Sequence, residues 1–442
     1  NQVGVHSSDG GCVETMLRSV MNANLIGLLV LQAHTAVAFT PSFAPTSLGL
    51  RTSARAALPL SRSVRSGALS LMAKDIAVGV VGPGLVGGCL MEQIEETASI
   101  LKKNGMNVKV AAVSNLRDGK PWMICNADGM SIKDYKASME DADAGETGDF
   151  SKMADFLKGA APNAVIFDTT ASEPVSEMYA TWLEKGVHVV TPNKKVGSGP
   201  LARYKRCKKA VDDGKAQWGY ETTVGAGLPI TNTLKTDLLQ TGDKIVTIEG
   251  IFSGTLSYIF NTFKPGMKFS DVIADAKSKG FTEPDPRDDL AGMDVARKVT
   301  ILARECGLDV ELSDVPVKSL VPDELKDWAP KEGEVLADAF IEQMKAFDDE
   351  KTTLMQEAVD NDQVLRYVGK VDVKNKKVTV ELSLYPKTHP FAGTQWADNI
   401  CAFNTERYVP QPLVVQGPGA GAAVTAAGIY ADFLKIANTF SD

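Results

Sequence analysis

The sequence predicts an α/β chain: a doubly wound, mostly parallel sheet followed by a second α/β region. Three observations carry that prediction. Asp75-Ile76-Ala77-Val78-Gly79-Val80-Val81 is an apolar run of strand length, as expected of a strand buried on both faces. It leads straight into Gly82-Pro83-Gly84-Leu85-Val86-Gly87 and a helical pattern from Leu90 to Leu101. Beyond residue 225 the texture changes, and Ile245–Phe252 and residues 366–385 alternate as exposed-faced strands do.

Composition sets the outer bounds. A chain of 442 residues suggests two or three domains, and 44% apolar with 23% charged residues suits a packed globular body. The net charge of -8 leaves no cationic excess to neutralise phosphates, so no nucleic-acid partner is expected. The six cysteines are scattered without a CxxC, which favours reduced thiols over a disulfide or zinc framework.

The amino-terminal stretch has a different character. From Thr15 to Lys74 there is no Asp or Glu. Arg18 precedes the apolar run Leu25–Leu31, and Ala36-Val37-Ala38 before Phe39 has the pattern of a signal-peptidase site. The apolar run is too short to span a bilayer, so no membrane association is expected of the mature form. Arg51, Arg55, Arg62 and Arg65 then lie in a Ser- and Ala-rich segment of transit-peptide composition. Signal peptide, Phe, then transit peptide resembles the bipartite presequences of algae with complex plastids. Residues 1–73 are therefore expected to be a presequence and the protein plastid-located. The alternatives are a secreted protein with a disordered amino-terminal tail, another endomembrane-derived compartment, or the cytoplasm.

Within the body each element can be justified in turn. GxGxxG between a strand and a helix is a dinucleotide fingerprint, because its glycines allow a tight turn and close approach of a pyrophosphate to a helix amino terminus. Gly82, Gly84, Leu85, Val86 and Gly87 are the cofactor-binding candidates. After the strand Val108–Val113 comes Ser114-Asn115-Leu116-Arg117. No acid stands there for the ribose hydroxyls, and Arg117 leans the reading toward NADP over NAD; the alternative is a solvated loop arginine. Strands Ala164–Asp168 and Val187–Val190 end in Thr169-Thr170 and in Thr191-Pro192-Asn193-Lys194-Lys195. Carboxyl ends of strands at a switch point are where a nicotinamide lies, so one of Lys194 and Lys195 is a candidate for the reacting oxygen or substrate carboxylate. His188, inside a strand, reads as structural rather than as a proton shuttle.

Glu221-Thr222-Thr223-Val224-Gly225-Ala226-Gly227-Leu228-Pro229 joins a carboxylate to turned-out carbonyls, which suits a hard cation or simply a domain-boundary turn. Pro229 then suits the start of a helix Ile230–Leu239. The hydroxyls of Ser253 and Thr255 open the helix Leu256–Phe263 and either cap it or meet a substrate. In Gly280–Lys298 the prolines forbid a helix before about Arg287. From Met293 to Cys306 the pattern is helical and puts Asp294 and Lys298 on one face, four residues apart. That pair next to an acidic loop could bind a zwitterion and move a proton, or be a solvated ion pair. Gln416–Gly428 is a second glycine-rich turn into a helix running to Ala437, which suggests a return to the nucleotide side.

Together the ordered motifs GPGLVG, TPNKK (191–195), ETTVGAGLP (221–229), FSGTLSYIFN (252–261), GFTEPDPRDDLAGMDVARK (280–298) and QGPGAGAAVTAAG (416–428) resemble homoserine dehydrogenase across Asp75–Ser441. The likeness is to the monofunctional, short fungal-type architecture without an aspartate-kinase or ACT domain. It implies NAD(P)-dependent interconversion of L-homoserine and L-aspartate 4-semialdehyde, on the route to threonine, methionine and isoleucine. It implies a Rossmann-type nucleotide-binding domain at 74–225 and an α/β catalytic and dimerisation domain at 226–410. A carboxyl-terminal helix at 411–442 would return to the Rossmann domain, and the assembly would be a homodimer. By motif, Glu283 and Asp289 resemble ligands of the substrate amino group, with Thr255 and Lys298 completing the substrate contacts. Asp294 and Lys298 resemble the proton-handling pair, and Lys194 the family's lysine beside the nicotinamide. Thr169, Thr170 and Gly421 join the cofactor contacts. Glu221 by side chain, with the carbonyls of Val224, Ala226 and Leu228, resembles the family's sodium site. Phe281 stands where close relatives often have Tyr, so a hydroxyl contact is lost there.

Overall fold

A computed structural model describes residues 73–117, 120–141 and 145–441. The presequence expectations for residues 1–72 lie outside the described residues. The first sheet contains β1 (Lys74–Val81), β2 (Met106–Arg117), β3 (Lys120–Cys125), β4 (Glu146–Thr147), β5 (Asn163–Asp168), β6 (His188–Val190) and β7 (Trp218–Gly219). Its order is β4-β3-β2-β1-β5-β6-β7. β1 lies between β2 and β5, parallel to both, and its Ile76, Ala77, Val78 and Val80 have no solvent exposure. The unbroken apolar run is explained by helices on both faces. The chain reverses its winding direction at β1, so the crevice beyond the carboxyl ends of β1 and β5 is the switch point.

Two local expectations shift. The first helix spans Leu85–Glu96, starting inside the glycine motif rather than at Leu90, with Gly84 as its amino-terminal cap residue. Ser114–Arg117 is not a loop: it continues β2 and pairs antiparallel with Lys120–Met123. The added hairpin gives those edge residues backbone partners, which a single-strand reading cannot anticipate.

The second sheet is antiparallel, in the order β10-β9-β8-β11-β12. Its strands are β8 (Ile245–Ile251), β9 (Gln363–Asp372), β10 (Lys377–Pro386), β11 (Asp398–Thr405) and β12 (Leu413–Pro418). The amphipathic helix Met293–Glu305 packs on β9 and β10, burying Val295, Val299 and Leu302. It sits close because β9 carries Gly369 there: a Cβ on Gly369 would lie 2.4 Å from Val299 Cγ1. The helix expected at Ile230–Leu239 is one α-turn, Ile230–Asn232, followed by a π-helical stretch, Thr233–Leu239.

β12 belongs to this second sheet, so the boundary expected at 411 falls too early. The return to the nucleotide side begins after Pro418, the last residue of β12. The helix Ala422–Asn438 then packs along Leu85–Glu96 and buries Ile429 and Phe433. Phe433 meets Phe167 of β5 edge to face at 5.4 Å. A fully buried Phe of this kind contributes about 1.5–3 kcal/mol, so this late helix is integral to the first sheet's core. Among the described residues no helix is long and apolar enough to cross a membrane.

Candidate active site

The turn after β1 is built to leave room. Gly82 has φ +86, and a Cβ on it would lie 2.5 Å from Thr170 Cγ2. A Cβ on Gly87 would lie 2.5 Å from the Gly82 carbonyl and 2.7 Å from Thr169 Oγ1. Gly84, in contrast, faces open space. The Thr169 hydroxyl donates to the Gly82 carbonyl at 2.6 Å and so fixes the turn against the end of β5. Beyond it the first-turn amides of the Leu85–Glu96 helix lack helical acceptors. Leu85 is 85% exposed, while Val86 is tucked against the core. This cradle fits a dinucleotide pyrophosphate. Gly421, with φ +118 and open space around its Cβ position, caps the late helix and lines the adjoining cavity. Arg117 occupies the last position of β2.

Asp168, fully buried at the end of β5, ties two of these loops together. Its carboxylate accepts from the Thr170 amide and hydroxyl at 2.8 and 2.6 Å, from Asn193 Nδ2 at 2.9 Å, and from the Tyr179 hydroxyl. Burial pushes its pKa up, against those bonds. The same residue thereby positions Thr170 and the Asn193-Lys194 turn. That turn sends its two lysines apart. Lys195 pairs with Glu173 at 3.5 Å, whereas Lys194 reaches Asp294 Oδ1 at 3.2 Å. His188 accepts from the Gln217 amide and is held to a pKa of about 4 by burial, as a structural residue should be.

Asp294 joins the two lysines. Its other oxygen, Oδ2, lies 2.8 Å from Lys298 Nζ, and Lys298 also donates to the Phe252 carbonyl at 2.6 Å. The Asp294 side chain lines the cavity and is half exposed. Burial acts to raise its pKa, but the ammonium groups of Lys298 and Lys194 outweigh it and hold the carboxyl well below the usual range. Lys298 is shifted down, first by burial and then by Lys194, with Asp294 opposing. The helix does what its four-residue spacing suggested. The third member, Lys194, comes from the other sheet.

The Gly280–Leu290 segment, a loop that ends in the short helix Pro286–Leu290, faces them. The Asp289 carboxylate accepts from the Glu283 amide and lies 2.8 Å from the Thr255 hydroxyl, so it latches the loop to the Gly254–Thr262 helix. Thr255 Oγ1 is also 2.6 Å from the Phe281 carbonyl, and its single proton serves one acceptor at a time. Ser253 caps the helix through the Leu256 amide. Burial raises the Asp289 pKa. Glu283 keeps its side chain exposed at the cavity edge. Thr255, Glu283, Asp289, Asp294, Lys298 and Gly421 all line one cavity of about 560 Å³. Sequence reasoning missed Asn399 and Trp396. Asn399 donates to the Phe252 carbonyl at 3.1 Å, the acceptor Lys298 uses, and nothing local in the sequence marks it.

Glu221 lies apart from this cavity. Its oxygens accept from the Thr231 and Asn232 amides, both at 2.7 Å. Burial and the nearby Asp432 push its pKa up to about 7. Glu221 and Asp432, both buried, stand beside a turn with Gly225 at φ +82 and Ala226 at φ +53, and Asp432 is paired with Lys435 at 3.1 Å. The Leu228 carbonyl already accepts from the Ile230 amide at 2.8 Å, and Val224 is fully buried.

With this geometry in view, comparison with known proteins is decisive. Residues 82–221 match the family model for the NAD-binding domain of homoserine dehydrogenase, and 229–434 match the homoserine dehydrogenase model itself. The chain is 42% identical to homoserine dehydrogenase of Schizosaccharomyces pombe over 381 residues, which cover 97% of that protein and 83% of this chain. The chain belongs to the homoserine dehydrogenase family. It is also 48% identical to the chloroplastic bifunctional aspartokinase/homoserine dehydrogenase 1 of Arabidopsis thaliana, over 82% of this chain. The match spans only 39% of that plant relative's length. Among solved structures, a Candida auris protein titled as of unknown function superposes with a TM-score of 0.76 at 38% identity, covering 84% of this chain and all of that one. An archaeal homoserine dehydrogenase in complex with NADPH shares the fold, with a TM-score of 0.60 at 22% identity and 83% and 99% coverage.

Proposed function

We propose that the chain interconverts L-homoserine and L-aspartate 4-semialdehyde with NAD(P), in the biosynthesis of threonine, methionine and isoleucine. The observation that carries this is Asp294 bridging Lys194 and Lys298 on the wall of the cavity that also holds Glu283, Asp289 and Thr255. Gly82, Gly84, Leu85, Val86, Gly87, Thr169, Thr170 and Gly421 would hold the dinucleotide. Bound oxidised nicotinamide supplies the acceptor for a hydride leaving the substrate's hydroxymethyl carbon.

The chain's own residues handle the proton and the substrate. Lys298, with its pKa lowered by burial, takes the hydroxyl proton when neutral. Lys194 donates to the same oxygen, and Asp294 keeps both ammonium groups in register. Glu283 and Asp289 receive the substrate ammonium, whose positive charge suits an acidic rim. The lean to NADP rests on Arg117 and on the lack of an acid in Ser114–Arg117; one archaeal neighbour is titled as an NADPH complex.

A sodium ion at Glu221 with the carbonyls of Val224, Ala226 and Leu228 would relieve the Glu221–Asp432 repulsion. A rise in Tm with sodium chloride over choline chloride at equal ionic strength tests it. A homodimer through the second sheet would cover the partly exposed Val246 and Leu384, and sedimentation tests that. A plastid location rests on the acid-free amino-terminal stretch, and chloroplastic is what the plant relatives' names say of them. A fusion of residues 1–73 to a fluorescent reporter tests it.

The activity is tested by spectrophotometric assay with L-homoserine and NADP or NAD in parallel, for the wild type, Lys298→Ala and Lys194→Ala. Loss of kcat in Lys298→Ala is expected. Near wild-type kcat with only a raised KM would remove Lys298 as the base.

A further inference from the structure

Trp396 is the exposed tryptophan among the described residues. Trp122, Trp182 and Trp218 are buried, Trp328 is half-buried, and Trp396 is 68% exposed. Its backbone lies in the left-handed region at φ +52, where a bulky side chain is disfavoured and glycine is at ease. Burial of the ring does not offset that cost. The position is nevertheless held from both sides by one helix. Asn261 Nδ2 donates to the Trp396 carbonyl at 3.0 Å, and Ser257 Oγ donates to the Asp398 carbonyl at 2.7 Å. The Asp398 amide closes the turn onto the Gln395 carbonyl. That helix, Gly254–Thr262, is the one whose Thr255 meets Asp289.

The ring's location gives the strain a use. Trp396 lines the 560 Å³ cavity together with Glu283, Asp289, Asp294 and Lys298. The other large ring on that wall, Phe281, is stacked on Tyr258 at 4.4 Å. The charged side chains otherwise share the wall only with small ones, Ala397, Pro418 and Ala420 being its other apolar groups. A hydroxy amino acid held by its charged end has a methylene stem that needs apolar cover, and Trp396 is the large free apolar surface available. Strain maintained at a site wall, on a rigid mount, points to function.

Resting on the activity proposed above, we propose that Trp396 is a specificity-determining wall of the substrate cavity. It covers the methylene stem of L-homoserine and limits the length of the alcohol side chain that reaches Lys298.

The test uses Trp396→Gly and Trp396→Phe. Glycine suits φ +52, so Trp396→Gly is expected to fold with a Tm at or above that of the wild type. For Trp396→Gly the expected kinetic result is a KM for L-homoserine raised about tenfold, the worth of a methylene or two of lost apolar contact, with a smaller change in kcat. The same variant gains activity on the alcohol one carbon longer, L-5-hydroxynorvaline, relative to L-homoserine, and Trp396→Phe restores most of the wild-type KM. A Trp396→Gly enzyme with unchanged KM and unchanged preference overturns the proposal. So does a variant altered only in its oligomeric state, which would assign the ring to a subunit contact. Intrinsic fluorescence gives a readout independent of turnover. L-homoserine added without cofactor should shift the wild-type spectrum and leave that of Trp396→Phe unshifted, and no shift in either overturns the placement. A wild type that shows the shift yet never oxidises L-homoserine would sink the proposed reaction and leave the wall standing.

Discussion

Lys194 and Asp294 meet at 3.2 Å, one from the end of the parallel sheet and the other from the helix packed on the antiparallel sheet. Their contact makes the site a property of both halves of the chain. Asp294→Ala removes the bridge and leaves two ammonium groups side by side. We expect kcat/KM for homoserine oxidation to fall about 100-fold or more, while circular dichroism stays unchanged. Retention of more than a tenth of wild-type kcat/KM would deny Asp294 this role.

The pH profile follows from Lys298. Burial and Lys194 lower its pKa, so the neutral amine that the proposed proton transfer uses appears below the ordinary lysine range. kcat/KM for oxidation should therefore rise with pH and level off below about 10.4. Removing Lys194 takes away a nearby cation, which raises the Lys298 pKa. The Lys194→Met profile should be displaced to higher pH, and a profile moved to lower pH would contradict the assignment.

Gly369→Ala tests how closely the helix Met293–Glu305 must approach its sheet. The new methyl would lie 2.4 Å from Val299 Cγ1 and 3.0 Å from Val295 Cγ1. Overpacking of this kind costs about 1–3 kcal/mol. Chemical denaturation should show that loss, and kcat should fall as Asp294 and Lys298 move with the helix. Unchanged stability would mean that the helix shifts freely.

Gly87→Ala addresses the cofactor side alone. Its methyl would press on the Gly82 carbonyl and the Thr169 hydroxyl. Titration of NADPH fluorescence should show Kd raised about tenfold or more, equivalent to at least about 1.4 kcal/mol. Binding as tight as wild type would show that the turn does not contact the dinucleotide.

What the sequence disclosed was local. Gly82–Gly87 and the Asp294–Lys298 pair are read from spacing within one turn and one helix; the turn follows β1, with the helix starting inside it at Leu85, and the pair closes at 2.8 Å. The divergence of Lys194 and Lys195 depends on Glu173 and Asp294, neither of which is near them in sequence. Asp289 is a candidate ligand that turns out also to fasten the loop, because Thr255 and the Glu283 amide come within reach only after folding. Asn399 and Trp396 were invisible for the same reason: their significance lies in the Phe252 carbonyl and in a cavity assembled from distant segments. The extension of β2 to Arg117 depended on the antiparallel β3, a pairing that no strand carries in its own residues.

The Ala422–Asn438 helix lies against Leu85–Glu96 and inserts Phe433 beside Phe167. During synthesis the first sheet therefore emerges long before its last packing partner. Until that helix leaves the ribosome, the nascent nucleotide-binding half carries an uncovered apolar flank. Its final docking is a long-range closure, slow by topology. The second sheet is made in the interval, so the first sheet's core can be completed only after the second sheet has been synthesised.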